Sequence, residues 1–176
     1  LYFAFGSNMC LEQMASRCPD SILTAIGILR GYRWQINQRG VANVVPSPSD
    51  IVVGIVFRVS EADVKTLDRN EGVSRGFYER HSLDIELQPL LLEELSGQQT
   101  AIAMKALRDY KESPRGVQTS NPRSVDTAND YIQQRTPSNY TSSTDTSSIS
   151  NPKVMRALVY ASRQYCNDGS IRAEYV

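Results

Sequence analysis

The period of hydrophobic and polar positions changes several times along the chain. Leu1 to Phe5 is an unbroken apolar and aromatic run, which predicts a strand buried on both faces. Gly6 supplies the freedom to leave it sharply, and Asn8 reads as the N-cap of a short helix. On that helix Leu11, Met14, Ala15 and Cys18 share one face before Pro19 stops the pattern. From Ile22 to Asn43 the chain reads as strands broken at Gly27, Gly31 and Gly40. IVVGIVFRV, Ile51 to Val59, is the strongest strand pattern present. Ser60 and Asp63 resemble a capping box for a helix with Val64 and Leu67 on its apolar edge, running out near Asn70 and Gly72. After Tyr78, Leu83, Ile85 and Leu87 alternate with Ser82, Asp84 and Glu86, as in a strand with one wet face.

The stretch from Gln88 to Lys153 breaks this order. It opens with a predicted helix carrying Leu91, Leu92 and Leu95, continues through TAIAMKALRDY and decays into TPSNYTSSTDTSSIS. A Ser/Thr tract of that kind buries too little apolar area to fold alone. The expectation is a single domain over residues 1–176 with an insertion at 88–153, ordered in its first half and flexible in its second. VMRALVYAS, Val154 to Ser162, returns to strand character. Strands adjacent in sequence, with few long crossovers, predict an antiparallel or mixed sheet curled toward a barrel.

Charge narrows the partners. Nineteen basic and nineteen acidic side chains balance over 176 residues, so neither nucleic acid nor a membrane surface is expected as a partner, and a small ligand is. No apolar run approaches the ~20 residues that span a bilayer. Cys10, Cys18 and Cys166 form neither a zinc-type pair nor an even disulfide framework, which suits free thiols in the cytoplasm. A leader trimmed ahead of Leu1 is compatible with the absence of an initiator Met.

Two segments hold candidate chemistry. A strand that ends in Gly6-Ser7-Asn8 and turns into a helix leaves backbone N–H groups without internal partners, a ready site for a carboxylate or an oxyanion. Taken singly, such a turn is commonplace. The second segment is LDRNEGVSRGFY, Leu67 to Tyr78. There Glu71 stands where a helix gives out, so the helix dipole and apolar neighbours would both raise its pKa toward that of a general base. Taken singly, it reads as a solvated helix-end carboxylate. Ser7 as a nucleophile lacks a base, because the one histidine, His81, reads as a packed or rim residue of a strand. No nucleophile elbow, phosphate loop or clustered His/Cys set is present, so neither a metal nor a nucleotide cofactor is expected.

Together these segments carry a resemblance. YFAFGSNM, then GVANVVPSPSDIVVGIVF, then LDRNEGVSRGFYER resemble the γ-glutamylcyclotransferase family, whose members carry a YGSN loop, a G-x-A-N-x-x-P stretch, a V-x-G-V-V strand and an LDxxEG-x-x-x-G-x-Y segment in that order. The match runs from Leu1 to about Leu87 and resumes at Val154. It implies an α+β fold, a small mixed α/β barrel of mostly antiparallel strands with flanking helices, and conversion of γ-glutamyl-amino acids to 5-oxoproline without a cofactor. It assigns the acid/base role to Glu71 and binding of the γ-glutamyl group to Tyr2, Phe3, Ala4, Phe5, Gly6, Ser7 and Asn8. Tyr78 matches the tyrosine that closes the motif, and Tyr175 is the nearest counterpart of a further family tyrosine. Phe5 departs from the family's tyrosine before GSN, and the 88–153 insertion stands to reshape the pocket mouth. RALVYAS and DGSIRAEYV resemble fungal-type members, in which a helix follows EYV, so a missing C-terminal helix is expected. A small γ-glutamyl substrate is the implied partner, a homodimer is compatible, and a non-catalytic binder or a γ-glutamyl-amine or thiol-conjugate cyclotransferase are the alternatives.

Overall fold

The computed structural model of the chain describes residues 1–112 and 152–172. Five strands, β1 (Tyr2–Ala4), β2 (Ile22–Ile36), β3 (Ala42–Arg58), β4 (Glu79–Gln88) and β5 (Lys153–Ala161), close into a barrel in the order β1-β3-β2-β4-β5. β1 lies parallel to β5, and every other neighbouring pair is antiparallel. Helices α1 (Leu11–Arg17), α2 (Glu61–Glu71) and α3 (Thr100–Glu112) flank the barrel. This is the α+β barrel the sequence predicts. Among the described residues no helix is long and apolar enough to cross a membrane.

The period-2 rule of strands divides the core into two layers. Phe3, Val52, Val56, Ile85, Ala157 and Val159 form one cluster, enclosed by the strands. Tyr2, Ala4, Phe57 and Tyr160, their alternates, join Met14, Cys18, Leu67, Leu95 and Ala103 in a second cluster beneath the helices. β1 is therefore buried on both faces, as its unbroken apolar run requires. Each large apolar side chain fully withdrawn from water in these layers contributes roughly 1.5–3 kcal/mol.

Gly27 and Gly31, two of the glycines expected to break the strands, do not interrupt β2, whereas the break at Gly40 is present. Gly27 lies directly opposite Gly54 on β3, and a Cβ at either would approach the Phe3 ring to 2.8 or 2.7 Å. The pair is thus the space the ring occupies. Gly31, with φ 77°, sits at a register shift within the strand, and Gly40, with φ 74°, lies in the turn from β2 to β3. β3 also starts nine residues earlier than its apolar pattern predicts, at Ala42 rather than Ile51. It tolerates Pro48 because regular pairing lapses between Pro46 and Ile51, and Pro46 is the last paired residue before that lapse.

Two helix expectations change. α1 is capped by Cys10, not Asn8; Asn8 lies inside a 3-10 turn, Ser7–Met9, with its side chain buried. The helix predicted through Leu91 and Leu95 is a single 3-10 turn, Glu93–Leu95. Its Leu95 reaches the outer core cluster, and α3 beyond it is held to the start of β2 by Ser21 Oγ donating to Thr100 Oγ1 at 2.8 Å. β5 re-enters with Lys153 directly opposite Leu87. The Ser/Thr tract and Tyr175 lie outside the described residues.

Candidate active site

The site begins where β1 ends. Gly6 adopts φ −133° and ψ −141°, a conformation without positive φ; what constrains it is the wall, since a Cβ would come within 3.2 Å of Ala42 Cβ. The 3-10 turn that follows is closed by the Met9 N–H donating to the Gly6 carbonyl at 2.9 Å and the Cys10 N–H to the Ser7 carbonyl at 3.1 Å. The N–H groups of Ser7 and Asn8, at the start of the turn, have no acceptor within it.

Glu71 arrives from the other side of the sequence. The Ser60–Asp63 capping box starts α2, with the Asp63 N–H donating to Ser60 Oγ and the Ser60 N–H to Asp63 Oδ2, both at 3.1 Å. Gly72, at φ 66°, ends the helix immediately after Glu71; a Cβ there would lie 2.6 Å from the Phe77 ring, so glycine is required for conformation and for space. A 3-10 turn, Val73–Arg75, and left-handed Gly76 then return Phe77 and Tyr78 to the cleft. There the Tyr78 hydroxyl donates to the Ala42 carbonyl.

Asn8 joins the two halves. Its Oδ1 accepts from Arg17 Nη1 at 2.7 Å and Gln13 Nε2 at 3.1 Å, and its Nδ2 donates to the Tyr2 hydroxyl at 2.8 Å and Glu71 Oε1 at 3.1 Å. Arginine can only donate, so the amide oxygen must face Arg17 and the amide nitrogen must face the carboxylate. Burial pushes the Glu71 carboxyl above its ordinary value, while the Arg17 charge and the Asn8 bond pull it partly back. Burial, and then the Glu71 charge, raise the Tyr2 hydroxyl until it stays protonated. Tyr160, edge-on to Tyr2 with ring centroids 5.9 Å apart, donates to Asp68 Oδ1 at 2.9 Å and is raised first by burial.

One cleft of about 1330 Å³ takes in Tyr2, Phe5, Gly6, Ser7, Asn8, Glu71 and Tyr78. Of the residues expected to bind substrate, Phe3 and Ala4 do not line it: their side chains fill the two core layers on either face of β1. Arg17, Trp34, Arg39, Arg75, Phe77 and Tyr160 also line the cleft and were not foreseen. A signal for Arg17 existed. Gln13 and Arg17 are four apart on a helix, opposite its apolar stripe, and helical side chains lean toward the N-terminus, here toward Asn8. His81 lines a separate cavity of about 370 Å³, so it offers Ser7 no base. Among the described residues no group of three or more His, Cys, Asp or Glu side chains is placed to hold a metal.

The family model for gamma-glutamyl cyclotransferase, AIG2-like, matches residues 2–103. Over 88 residues the chain is 32% identical to gamma-glutamylcyclotransferase of Mus musculus and 30% identical to those of Bos taurus and Homo sapiens. Each match covers 44% of this chain and 47% of the relative, so the chain spans about half the length of the curated relatives it matches. In three dimensions it is similar to a solved gamma-glutamyl cyclotransferase, with TM-score 0.55, 17% identity and coverage of 93% of this chain and 66% of that one. An uncharacterised protein from Homo sapiens gives TM-score 0.53 at the same identity and coverage. At 17% identity these two structures speak for the fold. The match over residues 2–103, with the barrel and cleft described above, places the chain in the gamma-glutamyl cyclotransferase, AIG2-like family.

Proposed function

We propose that this chain is a cofactor-independent γ-glutamylcyclotransferase. It closes a γ-glutamyl amino acid or conjugate to 5-oxoproline and releases the amine. The observation that carries the reading is Glu71: a shielded carboxyl with a raised pKa, tied through Asn8 to the turn after β1 and opening on one cleft with it. Its three cysteines are free thiols, which fits a cytoplasmic setting.

The reaction needs the α-amine of the glutamyl unit to attack its own γ-carbonyl. An unperturbed Glu near ~4.3 facing an α-ammonium near ~8 leaves a mismatch worth about 5 kcal/mol. Desolvation of Glu71 narrows that gap, so it takes the proton and later returns it to the departing nitrogen. The N–H groups of Ser7 and Asn8 face the developing oxyanion, each such donor being worth about 3 kcal/mol in comparable sites. The protonated Tyr2 hydroxyl, held by Asn8, helps keep the carboxylate in place without competing for the proton. Confinement of the flexible glutamyl chain in its curled form supplies further rate.

Mass-spectrometric detection of 5-oxoproline from a panel of γ-glutamyl compounds tests this. Glu71→Gln is expected to lower the rate by about 10²- to 10⁴-fold. Release of 5-oxoproline by Glu71→Gln at the rate of the unaltered chain would refute the role. Ligand bound tightly and recovered unchanged would make the protein a binder instead.

A further inference from the structure

The cleft is larger than a γ-glutamyl unit requires. Its volume of about 1330 Å³ exceeds the roughly 300–1,000 Å³ of pockets that enclose a drug-sized ligand. It also continues along β3 past the proposed reaction centre: Ile51, which lines it, stands two residues beyond Val53, the residue level with Gly6 when the β1–β3 register is continued, or about 7 Å of strand. Trp34 and Ile51, both in its wall, are 47% and 43% exposed and leave apolar surface open on the cleft. The Trp34 ring is fixed, because its Nε1 donates to the Phe5 carbonyl at 3.0 Å.

The mouth carries charge of one sign. The Arg39 guanidinium lies 3.6 Å from the centre of the Phe77 ring and that of Arg75 lies 4.7 Å from it. Neither arginine has an ion-pair partner among the described residues. Of the described residues lining the cleft, Glu71 is the one with a carboxylate. A γ-glutamyl unit brings one ammonium and one carboxylate of its own, so it leaves the mouth arginines uncompensated.

Building on the proposed reaction, we infer that the outer cleft selects γ-glutamyl compounds whose departing amine carries both an aromatic body and its own carboxylate. The ring packs against Trp34 and Ile51, and the carboxylate meets Arg39 and Arg75 beside Phe77. Arginine suits this place because its planar guanidinium stacks on an aromatic face while donating in plane to a carboxylate.

The test compares kcat/KM for γ-glutamyl-tryptophan, γ-glutamyl-alanine, which lacks the ring, and γ-glutamyl-tryptamine, which lacks the carboxylate. The unaltered chain is expected to favour the first over each of the others by about fivefold or more. Trp34→Ala should collapse the tryptophan-to-alanine ratio toward one, and Arg75→Ala the tryptophan-to-tryptamine ratio. Each ratio cancels any general damage the substitution does. Ratios near one in the unaltered chain, or ratios that survive both substitutions, overturn the inference. If none of the compounds is turned over, the cyclotransferase reading fails by itself. The same ratios taken as dissociation constants by calorimetry then decide the selectivity on its own.

Discussion

Asn8→Asp changes one atom's chemistry at the junction of the site and leaves its shape alone. The donor facing Glu71 becomes an acceptor with charge. At the 3.1 Å that separates Asn8 Nδ2 from Glu71 Oε1, two carboxylates repel by about 5 kcal/mol at an effective dielectric constant near 20. Arg17, 2.7 Å from the Asn8 amide oxygen, is placed to pair with the new charge. The Tyr2 hydroxyl, now an acceptor, can turn and donate instead. After these offsets a net loss of about 2–3 kcal/mol is expected at neutral pH.

The sign with pH is fixed. Repulsion favours the protonated form, so the pair's folded pKa rises above its unfolded value. The deficit is therefore full above the folded pKa, shrinks as pH falls through it, and is gone below the ordinary carboxylate value of 4.5. Urea unfolding at a series of pH values measures this, and the acidic limb of kcat/KM for 5-oxoproline release should move upward with it. Asn8→Ala is the control, deleting the donor without adding charge, at about 1–3 kcal/mol with a weaker dependence on pH. An Asn8→Asp chain as stable as the original in alkali, or one whose deficit grows on acidification, would refute the placement of Asn8 against an ionised Glu71.

Glu71→Gln tests the cost of the raised carboxyl itself. Because burial raises its folded pKa, the charged form weakens the fold once pH passes above that value. The variant should be more stable than the original at neutral and alkaline pH by chemical denaturation, with the advantage vanishing below about 4.5; lower stability at neutral pH would contradict the desolvation argument. Gly54→Ala would put a Cβ 2.2 Å from the Ala4 carbonyl oxygen and 2.7 Å from the Phe3 ring. It should cost about 3 kcal/mol or more and register as a large fall in Tm. Ser60→Ala removes the acceptor that caps α2 and should cost about 1 kcal/mol, read as a shift in the urea midpoint at constant slope.

What the sequence made legible was local. The capping box, the glycine after Glu71 and the two-faced burial of Leu1 to Phe5 each depend on neighbours within a turn or a strand, and each is present in the fold. Asn8 was misread as a cap because its amide serves a partner 63 residues away; local chemistry alone makes a cap the natural reading of Asn before a helix. Gly27 was misread as a break because the ring it accommodates, Phe3, lies on another strand. Trp34, Arg39 and Phe77 converge on one cleft only after the barrel closes.

The meeting of Glu71 with the turn after β1 follows from two lengths that do match. β1 pairs with β3 so that Tyr2 is level with Phe57 and Ala4 with Ile55; continuing that register puts Gly6 level with Val53. Val53 is five residues back from Arg58, where β3 ends, or about 16 Å of strand. α2 begins at Glu61, after Val59 and the Ser60 cap, and spans 11 residues, or about 16 Å of helix. A helix that doubles back along β3 for that distance delivers its last residue beside the turn. One helical turn fewer would leave Glu71 about 5 Å short of Asn8, beyond hydrogen-bond reach. The capping box and Gly72 therefore set the position of the site's carboxylate as well as the ends of the helix.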